Sequence, residues 1–442
     1  MATIPAQPPR PAFRAHQAAG VLVLLAAIWM SSGTMAPYGA TLASPKVLPP
    51  CDYLANIDHI YFEQTFMMLN GAPKAEWKTS FMLRRILFPV LSYPLMKVTT
   101  FEIGGFLTSL IVNAIAFLIF TTWLRRRAGD SGAKAVLWLL ATYPGITYWA
   151  ALPYAYAVLV PFCLVGFILL TELSESTEPK RILGCCLGLG ILFMGYDLWP
   201  YMVPAVVAVM ISRKQVALLP AALALMFGPS FVWTIGVLGF LMRINPVNAN
   251  TGLYLTVARS YISHPDLREW AALLARFPIE TVRVYFYSNL LFLPAMFTVY
   301  WIASRRARVS MSKAEGYYLL AIVAVYLFNN LAPPYPDMQI RGSSIARLYQ
   351  PAFVAMLVFS ARYIQSVRTQ PAWTWTRAAL VTTVLLNASV VFGIAVDNPL
   401  SAFLYMKFYA HGNADPRNVP NNLATYGHRP IGFCAPPDRT PG

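Results

Sequence analysis

Charge is the scarcest commodity in this chain. Only 12% of its 442 residues are Asp, Glu, Lys or Arg, while 57% are apolar and the mean hydropathy is +0.52. A soluble domain carries roughly 25% charged residues, so a water-soluble globule is excluded. Acids are the rarer sign, 18 against 34 Lys and Arg, for a net charge of +16. The five cysteines and five histidines include no pair with zinc-site spacing. His59 and Glu63 share a helix face at i,i+4, but two ligands do not make a site. Cys163, Cys185 and Cys186 fall in apolar runs and read as small packing residues. Cys51 and Cys434 lie outside such runs, and a disulfide between them stays open. The outer loops hold no Asn-x-Ser/Thr acceptor, Asn387-Ala388-Ser389 being inside an apolar run, which points to a bacterial cytoplasmic membrane.

Apolar runs are what the chain has in abundance. About 17–25 apolar residues cross a bilayer as a helix, and about eleven spans are expected, near 18–36, 103–123, 135–151, 154–172, 182–196, 199–211, 216–241, 284–303, 314–332, 346–363 and 377–396. The fold class is therefore an all-α membrane protein, a polytopic helical bundle. Residues 182–211 are split into two short helices at Asp197-Leu198-Trp199-Pro200, because proline removes a backbone donor and clashes with the preceding turn. Gly184 and Gly188 form a small-xxx-small pair expected to pack helices. The first run reads as an uncleaved anchor.

Arg125-Arg126-Arg127, Lys180-Arg181, Arg213-Lys214 and Arg305-Arg306 with Arg308 fall in alternate short loops. Short cytoplasmic loops collect Lys and Arg, which puts these loops and residues 1–17 inside. Five of the 18 acids fall on that side. The inner surplus of positive charge suits an anionic membrane surface and is no pointer to nucleic acid. The membrane domain spans 18–396, with outer loops 37–102, 243–283 and 333–347 and an exoplasmic tail 397–442. Trp199, Trp233 and Tyr335 sit near span boundaries, where aromatic belts form.

The outer loops hold the residues able to do chemistry. Asp58, in Asn56-Ile57-Asp58-His59-Ile60-Tyr61, is an acid held at the water boundary just after the first span. Boundary carboxylates are costly and tend to mark working sites. Phe81 to Leu91 mixes apolar residues with Arg84, Arg85 and Pro89, the pattern of a helix lying in the headgroup plane. Asp197 is either a second carboxylate or a helix cap. Asp337 can pair with Arg341 at i,i+4.

Asn56-Ile57-Asp58-His59, Gly71-Ala72-Pro73 and Arg84-Arg85-Ile86-Leu87-Phe88-Pro89-Val90-Leu91 together resemble the first outer loop of GT-C glycosyltransferases, in the mannosyltransferase-like branch. Tyr143-Pro144-Gly145-Ile146-Thr147-Tyr148-Trp149 followed by Pro153-Tyr154-Ala155-Tyr156 resembles a second stretch of that branch, with Tyr156 where the family has Glu. Arg347-Leu348-Tyr349-Gln350-Pro351 is similar to an element that opens a late helix there. Asn56 replaces the first acid of the family's paired motif.

The resemblance implies an integral membrane hexosyltransferase that moves a sugar from a polyprenyl-phosphate donor to an acceptor hydroxyl, a lipid-linked glycan or another alcohol, at the outer face. Asp58 would be the general base and Asp197 the second carboxylate. Arg341 and Arg347 would clamp the phosphate, helped by Arg84 or Arg85, with His59 and Tyr349 lining the substrate. No organic cofactor is implied. Some members use a divalent ion, and a single firm acid does not indicate one here. Two rival classes share this composition: a flippase or transporter for lipid-linked sugars, and a non-catalytic scaffold of the same fold. The halves show no repeat of the kind common in transporters.

Overall fold

The computed structural model describes residues 11–35, 65, 68–71, 83, 85–99, 101–143, 146–147, 150, 155–196, 198–243, 297, 312–331 and 350–395. Among the described residues the regular structure is entirely helical. In chain order these are α1 (Pro11–Met35), α2 (Leu87–Val98), α3 (Phe101–Ala141), a 3₁₀ turn (Ala155–Val158), α4 (Leu159–Glu175), α5 (Pro179–Phe193), α6 (Trp199–Ser212), α7 (Leu219–Phe231) running into a π-helical stretch (Val232–Leu241), α8 (Lys313–Leu331), α9 (Gln350–Val367) and α10 (Ala372–Ala395). Three stretches, Ala12–Trp29, Ile103–Ala141 and Val216–Leu241, are long and apolar enough to cross a membrane. The expected span 284–303 lies outside the described residues apart from Phe297.

Proline sets several of the starts. Pro179, Pro200 and Pro220 each sit in the first turn of α5, α6 and α7, where the missing N–H has no partner to lose and the fixed φ is already helical. The expected break before Pro200 is present, with turns at Met194–Tyr196 between α5 and α6.

α3 is a hairpin. Gly129 has φ 80° and ψ 168°, a conformation essentially open to glycine alone. A Cβ on Gly20 of α1 would meet both Leu137, at 2.7 Å, and Phe117, at 3.0 Å. In a straight helix those two residues would stand about 30 Å apart, so the chain reverses between them. The expected spans 103–123 and 135–151 are thus two limbs joined at the Arg125–Asp130 turn. The second limb ends at Ala141, well short of 151, and helical residues resume at Ile146, Thr147 and Ala150. That backbone is held by the first limb: Ser109 Oγ donates to the Ala150 carbonyl at 2.6 Å, and Asn113 Nδ2 donates to the Ala157 carbonyl at 2.9 Å.

α3 packs against α1, α2, α4 and α9, and the core is aromatic. Tyr143 meets Phe353 at 4.6 Å and Phe167 meets Tyr318 at 5.2 Å between ring centroids. Glycine sets the closest approaches. A Cβ on Gly132 would fall 2.1 Å from the Ala361 carbonyl oxygen, and one on Gly190 would fall 2.3 Å from that of Leu225. The expected packing pair is half present: a Cβ on Gly188 would fall 2.9 Å from Leu169 of α4, whereas Gly184 has nothing within 4 Å and is corrected, and Gly190 is the close contact of α5 with α7. Gly190→Ala is expected to destabilise the bundle by about 1–3 kcal/mol, the usual cost of overpacking, while Gly184→Ala changes it little. Thermal unfolding in detergent compares the two.

Large apolar side chains stay exposed along whole helix faces. On α3 these are Ile111, Ile115, Leu118 and Ile119, and on α7 and the π-helical stretch after it Phe227, Phe231, Val232 and Ile235. Contiguous apolar stripes of this length are what a protein in water avoids.

Candidate functional site

The bundle has two chemically different ends. One gathers the Arg125–Asp130 turn, the C-termini of α4, α6 and α9 and the N-termini of α1, α5 and α8. Arg127 bonds Glu172 at 3.1 Å and also Glu175, and Arg181 bonds Glu172 at 2.5 Å. Arg125 pairs with Asp130 at 2.6 Å, and Arg213 Nη1 donates to the Ser176 carbonyl at 2.7 Å. Arg362 grips Glu315 with two bonds, of 2.8 and 2.6 Å. Three of the four basic loops read as lying on one side, those of Arg125, Lys180 and Arg213, are brought together here.

The other end lies along the first limb of α3, where α2 packs so closely that a Cβ on Gly104 would meet the Met96 nitrogen at 2.4 Å. From Gly104 to Ala128 the helix rises about 36 Å, between the thickness of a bilayer's hydrocarbon core and that of the whole membrane. Arg85 lies at this second end.

The site is built around Arg85. The helix expected over 81–91 begins only at Leu87 and runs to Val98, so Arg85 precedes it in a short strap. Two bonds fix that strap: the Leu87 N–H donates to the Met194 carbonyl at 3.2 Å, and Trp233 Nε1 donates to the Leu83 carbonyl at 2.7 Å. A small apolar cluster of Met68, Leu83, Ile86 and Leu238, flanked by Met194, Trp233 and Met242, seals it underneath. The Gly71 N–H donates to the Met68 carbonyl at 3.0 Å, with Gly71 at φ 78°, so a turn over Met68–Gly71 adjoins this cluster, while Ala72 and Pro73 lie outside the described residues.

Arg85 is only 7% exposed, and its guanidinium lies 4.8 Å above the Tyr196 ring, a cation–π arrangement that strengthens as water is excluded. A permanent positive charge and the positive end of the α2 dipole therefore coincide in a poorly solvated place. Such a place favours an anion with forked acceptors.

Tyr196 belongs to the Tyr196-Asp197-Leu198-Trp199 turn, so the arginine strap and the second-carboxylate turn are neighbours although over a hundred residues separate them. Likewise, Tyr143, which opens the second stretch of the resemblance, meets Phe353, two residues beyond the third. Of the expected site residues, Arg85 alone is described. Asp58, His59, Arg84, Asp197, Arg341, Arg347 and Tyr349 lie outside the described residues, as do Cys51 and Cys434. Among the described residues no group of three or more His, Cys, Asp or Glu could hold a metal ion.

Tyr196 and Trp233 were not legible as parts of a site. Trp233 reads as a belt residue from its position, and only the packing of α7 shows its indole holding Leu83. The Glu315–Arg362 pair did leave a signal. Ser312-Lys313-Ala314-Glu315 is a capping box, and both its bonds form: the Ser312 N–H donates to Glu315 Oε2 at 2.8 Å and the Glu315 N–H to Ser312 Oγ at 3.3 Å. No protein-family model matches the chain, and no curated protein or solved structure matches it either.

Proposed function

We propose that the chain is a multi-pass membrane glycosyltransferase of the GT-C type, with about eleven spans, its ion-paired end in the cytoplasm and its active site at the opposite face. One observation carries this reading. A first-loop arginine is buried against Tyr196, next in sequence to the second-carboxylate candidate, at the end of the bundle remote from the ion pairs.

The chemistry follows from the residue types. Asp58 takes the proton of the acceptor hydroxyl. The hydroxyl oxygen attacks the anomeric carbon of the donor, the bond from that carbon to the phosphate oxygen breaks, and polyprenyl phosphate leaves with the bonding electron pair. Charge grows on the phosphate as it departs, and fixed cations aimed there lower the barrier. Arg341 and Arg347 supply forked donors, while Arg84 and Arg85 add positive field from the strap. Asp197 orients the sugar or acceptor beside Tyr196, and His59 and Tyr349 line the substrate. The exposed apolar helix faces suit the donor's isoprenoid tail.

The test is reconstitution of the full chain in liposomes with a panel of polyprenyl-phosphate sugars and alcohol acceptors. Sugar transfer coupled to release of polyprenyl phosphate supports the reading. Movement of intact donor across the bilayer without transfer would make the protein a flippase, and neither event would make it a scaffold.

A further inference from the structure

At the ion-paired end, most acids are neutralised by arginine partners while several exposed cations are left over. Asp130, Glu172, Glu175 and Glu315 are all engaged by arginines, Glu315 with no exposed side chain at all. Among the described acids there, only Glu178 is left outside these pairs. By contrast Arg14, Arg126, Lys180, Lys214, Arg368 and Arg377 are exposed and enter no ion pair among the described residues. They ring the end of the bundle on α1, α3, α5, the α6–α7 turn, the α9–α10 turn and α10.

Several of these cations also stand at the head of an exposed apolar stripe on their own helix. Below Arg377 come Val381 and Leu385, at i+4 and i+8, 50% and 60% exposed. Below Lys180 come Leu187 and Ile191, at i+7 and i+11. Arg126 stands over Ile119 and Ile115 in the same way, and Lys214 lies between exposed Ile211 and Val216. Residues at these spacings share a helix face. A cation above an apolar stripe matches a molecule with an anionic head and a hydrocarbon tail. It does not match a free phosphate or a nucleic acid, which would leave the stripe unused.

We propose that this end binds anionic phospholipids of the leaflet it faces, each headgroup phosphate on an exposed cation and its chains along the stripe below. Lys180 and Lys214 form one grip, on neighbouring connections tied by the Arg213 bond to the Ser176 carbonyl at 2.7 Å. Arg377 with Arg368 forms a second, on α10 and the turn before it. Attraction of juxtamembrane Lys and Arg to anionic lipid is short-ranged and additive, so pairing of four of the acids with arginines leaves this end with a surplus of exposed positive charge.

The test uses the purified full chain in neutral detergent micelles carrying phosphatidylglycerol or phosphatidylcholine, with inorganic phosphate as a third arm. Native mass spectrometry and thermal unfolding read the outcome. Several-fold preferential retention of phosphatidylglycerol is expected, with a higher unfolding midpoint and no shift from inorganic phosphate. The variant K180Q/K214Q/R377Q is expected to lose the preference while unfolding normally in phosphatidylcholine. Raising salt from about 0.1 to about 1 M shortens the screening length from about 10 to about 3 Å and is expected to erase the preference in the unaltered chain. Equal retention of both lipids, a preference that survives the variant or the salt, or an equal shift from inorganic phosphate would each overturn the proposal.

Discussion

Replacing Glu315 with alanine is expected to lower the unfolding free energy by about 3–5 kcal/mol, the cost of leaving a partly desolvated charge without its partner. The carboxylate is fully buried, and Arg362 is only 11% exposed. Both guanidinium bonds would be lost, leaving the cation between α8 and α9 with no ready route to water. The same change removes the reciprocal cap with Ser312, worth about 1 kcal/mol. Removing both charges has a different outcome. The double variant Glu315→Leu with Arg362→Met is expected to fall close to the unaltered chain, since apolar replacement of a buried pair is often neutral or better. Denaturant or thermal unfolding in detergent measures both. A loss below about 1 kcal/mol for the single variant would show that water reaches the pair, against its burial.

Asp58→Asn is expected to slow sugar transfer by about 10²–10⁴-fold, the range a positioned general base contributes. Asparagine keeps the size and polarity of the side chain but cannot accept a proton at neutral pH, so the loss should appear in kcat more than in KM. The unfolding midpoint in detergent is expected to stay unchanged, which separates lost chemistry from lost fold. Asp197→Asn, by contrast, is expected to alter KM if its role is to orient substrate. Normal turnover by the Asp58 variant would remove the proposed base.

Much of the fold was legible because single residues punctuate it. Proline near the starts of α5, α6 and α7 and the break before Pro200 follow from what proline does to a backbone. The alternate basic loops at Arg125, Lys180 and Arg213 converge as charge asymmetry requires. What could not be read was partnership. Gly184 and Gly188 look like a packing pair from spacing, but the approach of α5 to α7 is decided by helix rotation, which selects Gly190. The strap before α2 looked helical because Arg84 and Arg85 interrupt an apolar run. Its start is set instead by the Leu87 bond to Met194, a contact across more than a hundred residues. The same distance hid the Arg85–Tyr196 stack. For the site itself, the sequence named the charged residues, and the structure adds the environment of Arg85.

The account rests on the two ends of the bundle facing opposite sides of a membrane. Single-cysteine labelling with a membrane-impermeant reagent in intact cells tests this directly, with cysteines placed at position 58 and at position 180 in a chain lacking its native cysteines. The account predicts labelling at 58 from outside, and at 180 only after the membrane is opened. Labelling of both from the same side, or of 180 alone in intact cells, would contradict it, because an acid on the cytoplasmic face could not meet a donor presented outside.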